Sequence, residues 1–248
     1  MAIEFSGTNQ GYDWASDGTL DIDYGGAITL SLWVNPDVVS GTKAVFLTAD
    51  TPAAPANTTL GILFRIGAGD EFGIFAGWST TAGVWSSTTS PFSAGVWQHV
   101  LIQYDGSSTA NNPTARLDDV SVTLGEDVTP SGTRASGIDS IRIAEINQGS
   151  AADFDGHIAE IALWNSTLSA AEATALAGGD NPTTVDAANL KMYLEMRTGA
   201  PSDHVTGATP STTNGTPTTG TTHPSVTAIA GAAASPRIRA AHPSLLQM

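Results

Sequence analysis

Short runs of alternating apolar and polar residues recur along most of the chain, and they constrain the fold more than any other feature. In residues 28–34, ITLSLWV, large aliphatic residues occupy every second position, with Thr29, Ser31 and Trp33 between them. A period of two places successive side chains on opposite faces of a strand. Clusters of Gly, Ser, Thr, Asn and Pro separate these runs at intervals of about 8–12 residues, as in antiparallel sandwiches. The pattern predicts an all-β fold.

Further runs of the same kind predict the other strands. They are rich in Val, Ile, Phe and Trp, which suit a pleated packing surface. These runs are residues 44–48, 60–66, 72–78, 96–105, 120–124, 140–144, 156–164 and 190–196. Because Trp33, Trp97 and Trp164 lie within strand patterns, we expect them to be packed in the core, although Trp33 occupies the strand face opposite the aliphatic residues, under a loop or a second layer.

One segment has the signals of a short helix. Ser169 is a preferred N-cap residue, and Glu172 three positions later completes a capping box. An alanine-rich stretch follows, and Gly178 and Gly179 end it. The sequence therefore predicts one edge helix over residues 169–177.

Composition and charge exclude several classes of function. The chain has no cysteine, so disulfides and thiolate chemistry are absent. Its 24 acidic and 9 basic residues give a formal charge of −15, which repels phosphate backbones, and we expect no nucleic-acid binding. The N terminus lacks the features of a signal peptide, and no run approaches about 18 apolar residues. We therefore expect synthesis in a cytoplasm and no membrane insertion.

Three blocks of sequence occur in an order that is typical of one superfamily. The first is IEFSGTNQGYDW followed by ITLSLWVNPD, and the second is VWQHVLIQYDG at residues 96–106. The third is SIRIA followed by FDGHIAEIALWNSTLSAAEATAL at residues 154–176. Together they resemble the concanavalin A-like lectin/glucanase jelly rolls, in particular the laminin G-like branch. The resemblance implies a two-sheet antiparallel jelly-roll sandwich with one short edge helix.

A fourth block, residues 189–226, resembles the closing segment of laminin G-like proteins of tailed bacteriophages. This resemblance implies a folded domain over residues 1–227 and a C-terminal extension, or attachment arm, over residues 228–248. It also implies a non-enzymatic virion structural protein, either a capsid decoration protein or a tail-associated subunit. Its partners would be other virion proteins, further copies of itself in the particle, and a host-surface glycan.

The arm differs in charge from the rest of the chain. All 24 acidic residues lie at or before Asp203, and two arginines are the only formal charges beyond it. We expect the arm to anchor on a neighbouring subunit through apolar side chains and to meet an acidic surface through the arginines. The residues concerned are Arg237, Ile238, Arg239, Leu245 and Leu246.

The superfamily includes glycoside hydrolases, whose catalysis needs paired carboxylates. Retaining enzymes hold two carboxyl groups about 5–5.5 Å apart. Asp21 and Asp23 have same-face spacing but precede a Gly-Gly turn, and Asp118 and Asp119 would point to opposite faces. We interpret Glu160 as structural. The strand histidines His99 and His157 are interpreted as packing residues. We therefore expect no enzyme, with a glycoside hydrolase as the least favoured alternative.

Two kinds of ligand site remain open. Both would also serve the alternative function, which is a free carbohydrate-binding lectin module. The resemblance implies a loop-rim calcium ion, with oxygen ligands from Asp13, Asp17, Asp70 and Asp105, although no cofactor is required. Sugar binding needs exposed aromatic rings. Trp14, Trp78 and Trp85 lie next to turns and are the predicted platforms.

Overall fold

Every run predicted from the alternating pattern contains strand residues, but the run at 120–124 is divided between two strands, and further strands form outside the predicted runs. A computed structural model describes residues 1–14, 22–49, 60–69, 71–134, 140–146, 152–197, 201–220, 222–224 and 226. Within these ranges the strands are β1 (Ile3–Ser6), β2 (Gly11–Trp14), β3 (Ala27–Pro36), β4 (Lys43–Ala49), β5 (Leu60–Ile66), β6 (Phe72–Ala76), β7 (Gly83–Ser87), β8 (Gln98–Asp105), β9 (Thr114–Leu117), β10 (Val120–Val122), β11 (Leu124–Val128), β12 (Ser140–Ile143), β13 (Asp155–Trp164), β14 (Leu190–Leu194), β15 (Thr212–Asn214) and β16 (Thr218–Thr219).

The strands form two antiparallel sheets that pack face to face. Sheet A has the order β10-β9-β8-β3-β13-β1-β16, with β14 also paired to β13. Sheet B has the order β11-β7-β6-β5-β4-β12-β2-β15. The inward side chains of both sheets form one large core, in which Leu30 and Leu32 of sheet A join Phe64 and Ile74 of sheet B. The predicted all-β, two-sheet antiparallel jelly-roll sandwich is confirmed.

The strand β13 shows why a glycine and a bulge are needed in an otherwise regular ladder. Gly156 has φ +136°, and a Cβ there would lie 2.4 Å from the carbonyl oxygen of Asn35. Only glycine allows this close approach to β3. Further along, the pairing with β3 shifts register between Ala159 and Ala162, and Glu160 adopts φ +53°. The bulge turns the Glu160 side chain away from the regular alternation.

The helix α1 (Ala170–Ala177) covers part of the outer face of sheet A. Ser169 accepts a hydrogen bond from the Glu172 backbone, and Glu172 bonds back to the Ser169 backbone, so the predicted capping box is present. Ala173 and Leu176 pack in a second apolar cluster with Trp164 of β13. No helix in the described ranges is long and apolar enough to span a membrane.

The C-terminal segment joins both sheets. Strand β15 pairs with β2 at the edge of sheet B, and β16 pairs with β1 at the edge of sheet A. The Gly220 amide then donates to the Ala2 carbonyl oxygen at 3.0 Å. The predicted attachment arm, residues 228–248, lies outside the described residues.

Candidate functional site

The three tryptophans predicted to be sugar platforms are buried in the core. Trp14 and Trp78 are 3% exposed and Trp85 is 1% exposed. The Trp78 indole donates to the Tyr104 hydroxyl at 3.2 Å, and the Trp85 indole donates to Asn112 Oδ1 at 2.8 Å. An aromatic ring that stacks on a sugar must present an exposed face. The assignment of these three residues as platforms is therefore wrong.

A buried arginine explains part of this burial. The Arg134 guanidinium lies 5.8 Å from the Trp78 ring centroid and 5.4 Å from that of Tyr104. It also donates to the backbone carbonyls of Tyr24, Gly61 and Gly77. Burial lowers the pKa of this guanidinium. The carbonyl oxygens and the aromatic rings stabilise its charge in place of water. Trp78 belongs to this structural cluster, which a position beside a turn does not reveal.

The described residues of the predicted calcium site are not brought together. Asp13 lies in sheet B and accepts hydrogen bonds from Arg142 at 2.8 and 3.2 Å. Asp105 ends β8 in sheet A, and its Oδ1 accepts the Ser107 amide at 3.0 Å. Asp17 and Asp70 lie outside the described residues. Within the described ranges, no three His, Asp or Glu side chains are grouped so that they could hold a metal ion.

A different pair of tryptophans lies half-buried on the outer face of sheet A. Trp33 on β3 is paired across the ladder with His99 on β8, and their rings are 5.2 Å apart. Trp97 immediately precedes β8, and its ring is 6.2 Å from that of His157 on β13. Their expected place in the core is therefore wrong for Trp33 and Trp97. Trp164 is fully buried, as predicted.

The pairing of strands places a buried amide between these aromatic side chains. Asn35 is two residues beyond Trp33 on the same face of β3, and it lies directly opposite His157. The resulting tryptophan patch is the set of Trp33, Asn35, Trp97, His99 and His157.

Several buried polar atoms in the tryptophan patch lack a hydrogen-bond partner. They are Asn35 Oδ1, His99 Nδ1 and both ring nitrogens of His157. The nearest charged group to His157, Asp37 Oδ1, is 3.9 Å from Nδ1 and is therefore too far for a hydrogen bond. Buried polar atoms in native proteins are normally paired, so a group of unpaired ones marks a place where a ligand or water completes the set.

The environment of His99 keeps its imidazole neutral. Burial lowers the pKa of His99 to about 4, against a smaller opposing effect of Asp119. One ring nitrogen, Nε2, lies 2.9 Å from the Ser31 hydroxyl. A neutral imidazole offers one donor and one acceptor. His99 can therefore exchange hydrogen bonds with hydroxyl groups without adding charge to the patch.

The C-terminal segment runs over one side of the tryptophan patch. The Trp97 indole donates to the Thr222 carbonyl oxygen at 2.9 Å. Gly220 lies against His157, because a Cβ at that glycine would be only 2.3 Å from His157 Nε2. Part of the patch is thus open to solvent at Trp33 and Trp97, while His157 lies beneath the backbone of residue 220.

The alternating pattern of the sequence indicates that Trp33 and Trp97 point away from the core. In ITLSLWV, Trp33 shares its strand face with Thr29 and Ser31, and the aliphatic residues occupy the other face. In WQH, Trp97 and His99 likewise share a face. A tryptophan on the polar side of an alternating strand points away from the core. The unpaired atoms of Asn35 and His157, in contrast, depend on strand register and cannot be read from the sequence.

Comparison with known proteins identifies the family. A family model of the concanavalin A-like lectin/glucanases superfamily matches residues 6–174. The chain therefore belongs to this superfamily. No curated protein matches the sequence significantly.

Solved structures share the fold at low sequence identity. A candidate carbohydrate binding protein from Bacteroides ovatus aligns over 87% of this chain and 57% of its own, with 16% identity and a TM-score of 0.56. The CBM40 module of the Ruminococcus gnavus IT-sialidase, bound to α2,3-sialyllactose, aligns over 71% of this chain and 95% of its own, with 12% identity and a TM-score of 0.55. A heptameric pentraxin from Limulus polyphemus aligns over 71% and 80%, with 13% identity and a TM-score of 0.52.

Proposed function

We propose that this chain is a non-catalytic carbohydrate-binding domain that holds a glycan at the tryptophan patch. The observation that carries the proposal is the position of two half-buried tryptophans above buried polar atoms that have no partner. Flat aromatic rings stack on the apolar face of a pyranose, and hydroxyl groups pair with amides and imidazoles. The patch offers both kinds of contact on one sheet face.

Two structures of similar fold support a binding role. One is named as a candidate carbohydrate binding protein, and the other is a sialidase module with sialyllactose bound. The adjacent carboxylates Asp118 and Asp119 make structural contacts: Asp118 Oδ1 accepts the His99 amide at 2.8 Å, and Asp119 accepts from Arg116 and Thr174. These contacts favour binding without catalysis.

The test is a glycan array followed by calorimetry with any glycan that binds. We expect Trp33→Ala and Trp97→Ala each to weaken binding about tenfold, since an aromatic contact is worth about 0.5–1.5 kcal/mol beyond its buried area and about 1.4 kcal/mol is a factor of ten. The matched control is Phe75→Ala. Phe75 is half-buried on the outer face of sheet B, beneath the Arg65 guanidinium at 4.4 Å.

The control decides which sheet binds. Loss of binding in the Phe75 variant, with both tryptophan variants unchanged, would move the site to sheet B. Absence of binding to every glycan on the array contradicts the proposed function itself.

We further propose that the domain is a virion subunit, in a capsid or tail, that attaches to a neighbouring subunit through residues 228–248. The specific observation is the separation of charge, with every acidic residue at or before Asp203 and Arg237 and Arg239 alone beyond it. An acidic surface on one copy and a basic arm on another are complementary. The phage-like closing block at residues 189–226 adds support. The test is the effect of removing the arm on oligomeric state.

A further inference from the structure

A buried carboxylate organises the contact between the C-terminal segment and the outer face of sheet A. Glu160, turned outward by the bulge in β13, is 2% exposed. Its Oε1 accepts from Arg197 Nη2 at 2.9 Å and lies 3.0 Å from His223 Nε2, and its Oε2 accepts from the Tyr193 hydroxyl. We call Glu160, Tyr193, Arg197 and His223 the clasp. The clasp fixes the end of the described chain on β13 and β14.

The hydrogen bonds of His223 require both ring nitrogens to carry a proton. Its Nδ1 lies 2.8 Å from the Pro224 carbonyl oxygen, and its Nε2 lies 3.1 Å from the Glu195 carbonyl oxygen as well as facing Glu160. All of these partners are acceptors. A neutral imidazole has one N–H, so one of its nitrogens would direct a lone pair at an oxygen. The clasp is complete only with a doubly protonated ring.

The charged and titratable groups around this ring come from three segments. Glu160 belongs to β13, and Tyr193 belongs to β14. Burial and the nearby Glu160 raise the pKa of Tyr193, so its hydroxyl remains a donor. After β14, Arg197 contacts the carboxylates of both Glu160 and Glu195, and His204 lies 3.7 Å from Glu195. Among the described residues, Glu160 supplies the carboxylate oxygen that faces His223 Nε2, at 3.0 Å.

Residues 218–220 and 222–224, which we call the strap, connect the edge of sheet A with the clasp. The strap begins in β16, presses Gly220 onto His157, and passes Thr222 to the Trp97 indole. This closed position leaves both His157 nitrogens buried and unpaired. A buried polar group without a partner is unfavourable, so the covered patch favours lifting of the strap. The clasp opposes that lifting.

We propose that the strap is a pH-sensitive cover of the tryptophan patch, which is held closed while His223 is doubly protonated. When His223 loses a proton, the strap lifts, and His157 and the Trp97 indole become available to a ligand. Ligand binding therefore strengthens as the pH rises. The coupling to a ligand rests on the proposed function, whereas the movement of the strap does not.

The movement is tested by NMR on the full chain labelled with ¹⁵N-tryptophan. The Trp97 indole N–H reports its contact with Thr222, and its signal is assigned with Trp97→Phe. As the pH rises from about 5.5 to about 8.5, we expect this signal to move from a bonded to a solvent-exposed position. A signal that does not change with pH in the unmodified chain overturns the proposal.

Three variants separate the clasp from a general loss of structure. His223→Gln cannot acquire a second proton, and Gly220→Ala places a Cβ where His157 leaves no room. Both should show the exposed Trp97 signal at every pH. The matched control is His204→Gln. His204 also follows β14 in the chain but is more exposed than His223, and this variant should keep the pH response. A pH response that persists in His223→Gln and vanishes in His204→Gln contradicts the assignment. Near-ultraviolet circular dichroism checks that each variant is folded.

Binding to the glycan found on the array tests the coupling. We expect at least a tenfold gain in affinity from about pH 5.5 to about pH 8.5, and the higher affinity at every pH in His223→Gln and Gly220→Ala. Weaker binding in these two variants would show that the strap is a wall of the site and not its cover. If no glycan binds at any pH, the proposed function fails while the NMR result still decides whether the strap moves.

Discussion

His99 lies within the tryptophan patch and stays neutral because it is buried. An unfolded histidine titrates near pH 6.5, whereas burial lowers the pKa of folded His99 to about 4. Between these two values the unfolded chain binds the proton and the folded chain does not. His99 therefore contributes stability that is present above about pH 6.5 and is lost as the pH falls toward about 4.

This loss is measurable as a change in the free energy of unfolding. A shift of about 2.5 pKa units corresponds to on the order of 3 kcal/mol between about pH 7 and about pH 4. We expect His99→Gln to remove most of this dependence, because glutamine does not titrate. Urea unfolding of both chains at the two pH values gives the comparison, and effects of the other groups cancel in the difference. An equally steep dependence in the variant contradicts the assignment to His99.

The roles of individual tryptophans could be predicted only in part. Trp33 shares its strand face with Thr29 and Ser31, and this spacing already indicated an outward side chain. Trp78 was placed beside a turn, a position that gave no indication that it packs against the distant Arg134. Trp85 was also placed beside a turn, but it is the central residue of β7 and lies on the buried face of that strand. The alternating pattern predicts which face of a strand a residue occupies. Contacts with residues that are distant in sequence decide whether a side chain beyond the end of the strand is buried.

At the scale of elements, the unit formed by β13 and α1 was predicted from local signals. The strand ends in the buried Trp164, and the capping box begins the helix directly after the connecting turn. The end of the strand and the capping box lie within a few residues of one another, so both can be recognised in the local sequence. The helix has only eight residues, and an isolated helix of this length is unstable in water. Its cap and its packing on sheet A must hold it.

Removal of the cap should therefore be visible in stability. We expect Ser169→Ala to lower the free energy of unfolding by about 1 kcal/mol, because the Glu172 amide loses its acceptor. The measurement is chemical unfolding of the two chains. The control is Ser202→Ala, at an exposed serine, which should change stability by less than about 0.5 kcal/mol. Equal effects of the two substitutions would argue against a role for the cap.

Residues 120–124 show what local patterns could not predict. The alternation in VSVTL indicates a single strand, but the chain leaves sheet A after Val122 and enters sheet B at Leu124. Strand β11 then continues through Gly125 to Val128, beyond the alternating run. A change of sheet depends on which strands are available at the edges, here β9 and β7. Periodicity predicts a strand but not its partner.

At the scale of the whole molecule, charge is divided along the chain. A formal charge of −15 keeps copies apart in solution, and only Arg237 and Arg239 carry charge after Asp203. An arm that brings two positive charges and the apolar side chains of Ile238, Leu245 and Leu246 reduces this repulsion at a contact. The proposed assembly therefore depends on residues 228–248, which follow the described strands of the sandwich.

Size-exclusion chromatography with light scattering on the full chain and on a chain ending at Thr227 tests this dependence. We expect a defined oligomer for the full chain and a monomer for the shortened one. A second variant, Arg237→Gln with Arg239→Gln, keeps the apolar residues and should weaken the oligomer. Added salt should also weaken the unmodified oligomer, because it screens the same charges. An oligomeric state that is unchanged by truncation contradicts the role of the arm. Thermal unfolding of the full chain with and without EDTA tests the predicted calcium ion. Removal of the ion should lower the thermal midpoint if Asp13, Asp17, Asp70 or Asp105 binds it, and an unchanged midpoint contradicts that prediction.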